Sequence, residues 1–140
     1  MDMRALLRGL LIGLTLATAS NALADPATNP KGEQSLARLL EGRTAGPPVN
    51  CIDPGRAFSA EIIDETAIVY RMPGGKLYVN RPRIGASLLD HDAVLLSRTV
   101  GMQLCDRDIV HMVDRGGRGP ARSRGAVSLG PFVPYSKVER

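Results

Sequence analysis

Ten residues without a charge, Leu10 to Ala19, run between a pair of arginines and a small-x-small tripeptide: Arg4 and Arg8 come before them, Ala22-Leu23-Ala24 after. That order is the one a secretory leader requires, and it predicts cleavage after Ala24. A membrane-spanning helix takes about 20 apolar residues. This run is shorter and gives way to Ser20-Asn21, so a removed leader is expected rather than a retained anchor. No cysteine stands at the cleavage point, and no lipid anchor is expected. Removing the leader from the 140-residue chain leaves 116 residues, one domain's worth, in an oxidising compartment.

What remains has a modest interior to build. The aromatic residues are Phe58, Tyr70, Tyr78, Phe132 and Tyr135, with no tryptophan, so the core rests on Ile, Leu and Val. No second apolar stretch is long enough to span a bilayer, and no stable membrane insertion is expected. Of the 18 basic and 14 acidic residues, Arg4, Arg8 and Asp2 fall in the leader, which leaves a formal +3. A charge that small favours solubility and names no partner, and export argues against nucleic acid.

The mature chain reads as two parts: a flexible leader over 25–32, rich in helix breakers, then a single β-rich domain over 33–140 that opens with one helix and continues in strands. Leu36, Leu39 and Leu40 stand at helical spacing within Glu33 to Gly42 and predict a short amphipathic helix docked by its leucines. Thr44 to Pro48 breaks the pattern. Strands are expected over 58–63, 66–72, 76–80, 93–99 and 108–114, with a last extended segment over 126–135 interrupted at Gly130-Pro131. Pro73-Gly74-Gly75 between two of these runs predicts a hairpin, because glycine supplies the positive φ that tight turns need. Gly85 to Leu89 is expected to form one helical turn. In Asp108 to Asp114, Val110 and Met112 fall on one face and Ile109, His111 and Val113 on the other. The fold class is therefore mainly β: a small antiparallel sheet, sandwich or barrel with one short N-terminal helix.

Cys51 and Cys105 are the two cysteines of an exported chain, and such a pair is expected to form a disulfide. A zinc site from Cys51, His91, Cys105 and His111 is the rival arrangement, but none of these residues shows close ligand spacing. No metal or cofactor is expected, and without a close dithiol pair no redox role is expected either. His91 lies between Asp90 and Asp92, where a carboxylate beside an imidazole can make it a base. The same tripeptide is equally the composition of a solvated turn. Nucleophile-elbow, phosphate-loop and His-Glu-x-x-His motifs are all missing. Four arginines, Arg115, Arg118, Arg122 and Arg124, crowd a Gly-rich loop whose guanidinium forks suit phosphates and carboxylates. Tyr78, Asn80 and Arg81, with Arg83 beyond them, form a second polar cluster at the end of the hairpin. Lys76, Tyr78 and Asn80 share one strand face there, read as a surface site or the wet side of a sheet.

Four stretches together resemble a family of small exported proteobacterial proteins known only as a domain of unknown function. They are Cys51-Ile52-Asp53, the run from Ile62 to Arg71, Gly75 to Pro82 with its Leu77-Tyr78-Val79-Asn80-Arg81 centre, and Gln103-Leu104-Cys105 followed by Asp108 and Val110. The resemblance spans roughly Cys51 to Asp114. It implies export and a compact domain, and it brings no activity and no functional residues. The leading expectation is a non-catalytic periplasmic or secreted domain that binds an envelope component or protein. The alternative is a hydrolase-like enzyme using His91 or His111.

Overall fold

The computed structural model describes residues 29–97, 101–116 and 123–139. The expected leader peptide, Arg118 and Arg122 lie outside them. The first element among the described residues is helix α1 (Pro30–Leu39). Of the stretch 25–32 expected to be flexible, residues 25–28 lie outside the described residues and 29–32 begin the helix: Asn29 caps it through a bond from the Lys31 N–H and Pro30 takes the first helical position. Both residues break a helix interior but favour its beginning. Leu36 is buried, and Leu39 and Leu40 are partly so, against Ile63, Ala67, Val69, Leu77 and Val79 of the neighbouring sheet. Gly32 makes that docking possible: a Cβ there would sit 1.9 Å from Thr66 Oγ1 and 2.6 Å from the Asp64 carbonyl.

That sheet has five antiparallel strands: β1 (Arg43–Ala45), β3 (Ser59–Ile63), β4 (Ala67–Arg71), β5 (Leu77–Asn80) and β10 (Phe132–Lys137), in the order β1-β10-β5-β4-β3. The hairpin foreseen at Pro73-Gly74-Gly75 joins β4 to β5, with φ near 76° and 74° at the two glycines. A second sheet holds β6 (Ala93–Ser97), β8 (Ile109–Asp114) and β9 (Ser123–Ser128), in the order β6-β8-β9. A third is the minimal pair β2 (Cys51–Ile52) and β7 (Leu104–Cys105). The helical turn foreseen after Gly85 covers Ala86–Leu88.

The five-stranded sheet is covered on both faces. One face carries α1. The other packs Ile62, Ile68, Tyr70 and Phe132 against Ala93, Val110, Met112 and Val127 of the three-stranded sheet, with Leu89, Leu129, Ile52 and Leu104 in the same cluster. Double coverage explains why β4 reads as an unbroken Ala-Ile-Val-Tyr run rather than an alternation: all four residues are buried. The three-stranded sheet is wet on its outer side, so β8 alternates, with Val110 and Met112 inside and His111 outside. Tyr70 and Phe132 meet edge to face at 5.9 Å between ring centroids. The molecule is thus a mainly β, antiparallel two-sheet sandwich with one helix outside it. Among the described residues no barrel closes.

The expected disulfide joins Cys51 to Cys105, which stand directly opposite each other in β2 and β7. The Asp108 carboxylate accepts the Cys105 N–H at 2.7 Å, and the Asn50 carbonyl accepts the Asp106 N–H at 2.7 Å, fixing the approach of both strands.

Candidate functional site

The turn between β3 and β4 brings together residues that are distant in sequence. Glu65 holds a left-handed φ of 51° there, which lets three residues reverse the chain and leaves Asp64 at the rim. The Asp64 carbonyl accepts from Asn29 Nδ2 at 3.3 Å and from the Thr66 hydroxyl at 2.7 Å. Its carboxylate accepts the His91 backbone N–H at 2.7 Å and lies 2.9 Å from His91 Nδ1. The Glu65 N–H donates to the Leu89 carbonyl at 3.0 Å. Helix cap, hairpin turn and the Asp90-His91-Asp92 turn are therefore held as one rim.

His91 is surrounded by acid. Asp90 lies 3.9 Å from Nδ1, and Asp92 lies 3.5 Å from Nε2. The hydrogen bond to Asp64, then the charges of Asp64, Asp92 and Asp90, raise the imidazole's pKa above its ordinary value. Asp90 moves the other way, lowered first by the Asp92 N–H it accepts and then by Arg124. Arg124 donates to Asp90 Oδ2 at 2.9 Å and also pairs with Asp114, stitching β9 and β8 to the same turn. Asp64, Asp90 and His91 could offer ligand atoms within 4.8 Å of one another, but these groups already serve one another and Arg124.

Beside this cluster runs a cleft of about 490 Å³, lined by residues 59–62 of β3 and 93–95 of β6, with His91 and Arg115 at its rim. Each strand is the edge of its own sheet. β3 ends at the Asp64–His91 clasp and β6 starts from it, so the clasp ties the two sheet edges at one end of the cleft.

The structure disperses the other sequence candidates. Tyr78, Asn80 and Arg81 do not form a surface site. Asn80 is fully buried, donating to the Gly130 carbonyl at 2.6 Å and accepting its N–H at 3.1 Å. Tyr78 is half-buried against the inter-sheet core. Arg81 pairs with Glu33 through both its Nη atoms at 2.5 and 2.8 Å, which holds the Glu33 carboxyl below its usual range. Arg83 pairs with Asp106. Of the strand face read as wet, Tyr78 and Asn80 turn inward under the second sheet, while Lys76 before the strand is exposed. Of the arginine group, Arg115 lines the cleft and Arg124 lies in β9 among carboxylates. The zinc set is separated too: both cysteines are in the disulfide, and His111 stands on the outer face between its register partners Leu96 and Ala126. Asp64 and Asp114 escaped sequence reasoning. Asp64 is 27 positions from His91, and only the packing of one sheet edge against the other brings them together.

Among the described residues no helix is long and apolar enough to cross a membrane. Comparison of the chain with protein-family models, curated proteins and solved structures finds no match in any of the three.

Proposed function

We propose that the chain is an exported domain of the cell envelope that works by binding a partner, not by catalysis. The observation that carries this reading is the condition of His91. One ring nitrogen faces Asp64 and the other Asp92. A ring so placed is biased towards imidazolium, which has no lone pair with which to take a proton. The neighbouring acids are likewise engaged, Asp64 with His91 and Asp90 with Arg124. The cluster serves as a clasp across the rim of a cleft. The Cys51–Cys105 bond fits an oxidising compartment, where a modest core benefits from a covalent link.

The test is affinity capture of the tagged full-length chain from the periplasm after reversible cross-linking, with intact mass of the recovered protein. The expected result is a chain cleaved after Ala24 that gains the mass of two hydrogen atoms on reduction, with a reproducible envelope partner. Recovery of the unprocessed chain from the cytosol with free thiols, or of no reproducible partner, would remove the reading.

A further inference from the structure

The cleft has the chemistry of a site for an extended polypeptide. Edge strands carry unpaired N–H and C=O groups, and proteins protect them with charge, proline, bulges, shortness or a cover. Of the four edges of the two larger sheets, three are protected. β1 is three residues long. β3 carries Glu61, paired with Arg71. β9 holds an irregular register opposite Met112/Val113, and its end is bridged by Ile84 to Ser128. β6 has none of these devices. Its sequence is Ala-Val-Leu-Leu-Ser, with no charge, proline or glycine, and among the described residues it pairs with β8 alone. Beyond the Ala93 N–H, which donates to the Asp90 carbonyl at 3.0 Å, the β6 backbone groups on the side away from β8 have no strand partner among the described residues.

A second copy of the chain does not suit that edge. Residues 59–62 of β3 face Ala93 to Leu95 across the cleft, and a second copy would bring the same β3 wall against the first. A lone strand can enter where a whole sheet edge cannot. The charges then set its direction. Of the charged groups lining the cleft, Glu61 is satisfied by Arg71 and His91 by Asp64, while Arg115 makes no ion pair with a described residue. Arg115 follows Asp114, the register partner of Ala93, so its positive charge stands at the start of β6, where Asp92 is engaged with His91 Nε2 at 3.5 Å.

The geometry points to β-strand addition: a partner protein's extended segment pairs antiparallel with β6, with an acidic group at its C-terminal end against Arg115. Antiparallel pairing brings the C-terminal end of the segment to the N-terminal end of β6, where the unmatched guanidinium lies. Alternate side chains of the segment meet buried Ile62 and Ala93, and the others meet solvent. The inference rests on the binding role proposed above and names the class of partner.

The experiment uses the full chain and a pool of synthetic heptapeptides with apolar residues at alternate positions and Asp or Lys at the C-terminal position. Binding is read by fluorescence anisotropy, and the site by hydrogen exchange. Asp-ended peptides are expected to be enriched and to slow exchange across 93–97. N-methylation of alternate peptide amides should weaken binding by tenfold or more, because it removes main-chain donors and leaves side chains intact. Arg115→Ser should abolish the preference for Asp over Lys without changing the fold. No enrichment, protection confined to another surface, equal binding of N-methylated peptides, or Lys-ended peptides binding as well as Asp-ended ones would each overturn it. An envelope partner that is captured but leaves 93–97 unprotected ends this inference while the binding role stands. Failure of capture itself ends both.

Discussion

Replacing Asn80 with alanine tests whether one buried amide holds the sandwich together. Asn80 lies at the end of β5, fully enclosed, and its side chain serves both backbone groups of Gly130, 50 positions away in the connection between β9 and β10. The backbone packs closely at Gly130, where an added Cβ would lie 2.3 Å from the Arg81 carbonyl oxygen. Asn80→Ala leaves a buried N–H and a buried C=O without partners, at about 1–3 kcal/mol each, so the expected loss is about 4 kcal/mol. Against a typical domain stability of about 5–15 kcal/mol that is a large share. With a urea m-value near 2 kcal/mol per molar, the midpoint falls by about 2 M. Equilibrium urea unfolding followed by circular dichroism measures it. Asn80→Asp sharpens the test. Its ionised carboxylate would face the Gly130 carbonyl, so the folded pKa is raised above the unfolded value near 3.9. That variant should be most nearly native below pH 4, where the neutral acid donates to Gly130, and should lose stability as pH rises through the raised pKa. A loss under about 1 kcal/mol for Asn80→Ala, or no pH dependence specific to Asn80→Asp, would refute the reasoning.

Three further outcomes are expected. The double change Cys51→Ser with Cys105→Ser frees a loop with a sequence separation of 54 and should cost about 4 kcal/mol on the chain-entropy model, read by denaturant unfolding of the oxidised parent and the variant. The His91 clasp, whose imidazole pKa is raised by Asp64 and by Asp92 and Asp90, stabilises fully below the unfolded value near 6.5. It weakens as pH rises through the higher folded pKa, so thermal unfolding across pH 6–9 should show a decline that His91→Gln abolishes. Gly32→Ala drives a methyl into Thr66 Oγ1 and the Asp64 carbonyl and should loosen α1 from the sheet, seen as faster amide exchange over 30–39 with the three-stranded sheet unchanged.

Local chemistry made much of this fold legible. Pro73-Gly74-Gly75 specifies its own hairpin, and the alternation of Ile109 to Val113 reports a sheet with one wet face. The disulfide followed from count and compartment. Other features depend on what lies across the molecule. Asn29-Pro30 breaks a helix in its interior and starts one at its end, and only the buried leucine face beyond decides between the two. The pattern of β5 places Tyr78 and Asn80 on one face correctly, but whether that face is wet depends on a second sheet built from residues 93–128. Arg124 stands in a Gly/Arg-rich stretch and reads as loop, yet Asp90 and Asp114 fix it in β9. The two-residue strands β2 and β7 are too short to leave a period at all. The Asp64–His91 clasp is set by the meeting of two sheet edges, which no local pattern records.

The bridge between Cys51 and Cys105 makes a covalent ring of the chain, and β3, β4, β5 and β6 all lie on its circumference. One proteolytic cut anywhere on that circumference opens the ring and sheds nothing, since both fragments stay tethered through sulfur. Both walls of the cleft thus belong to a molecule that a protease can nick once within the ring and that still remains a single particle.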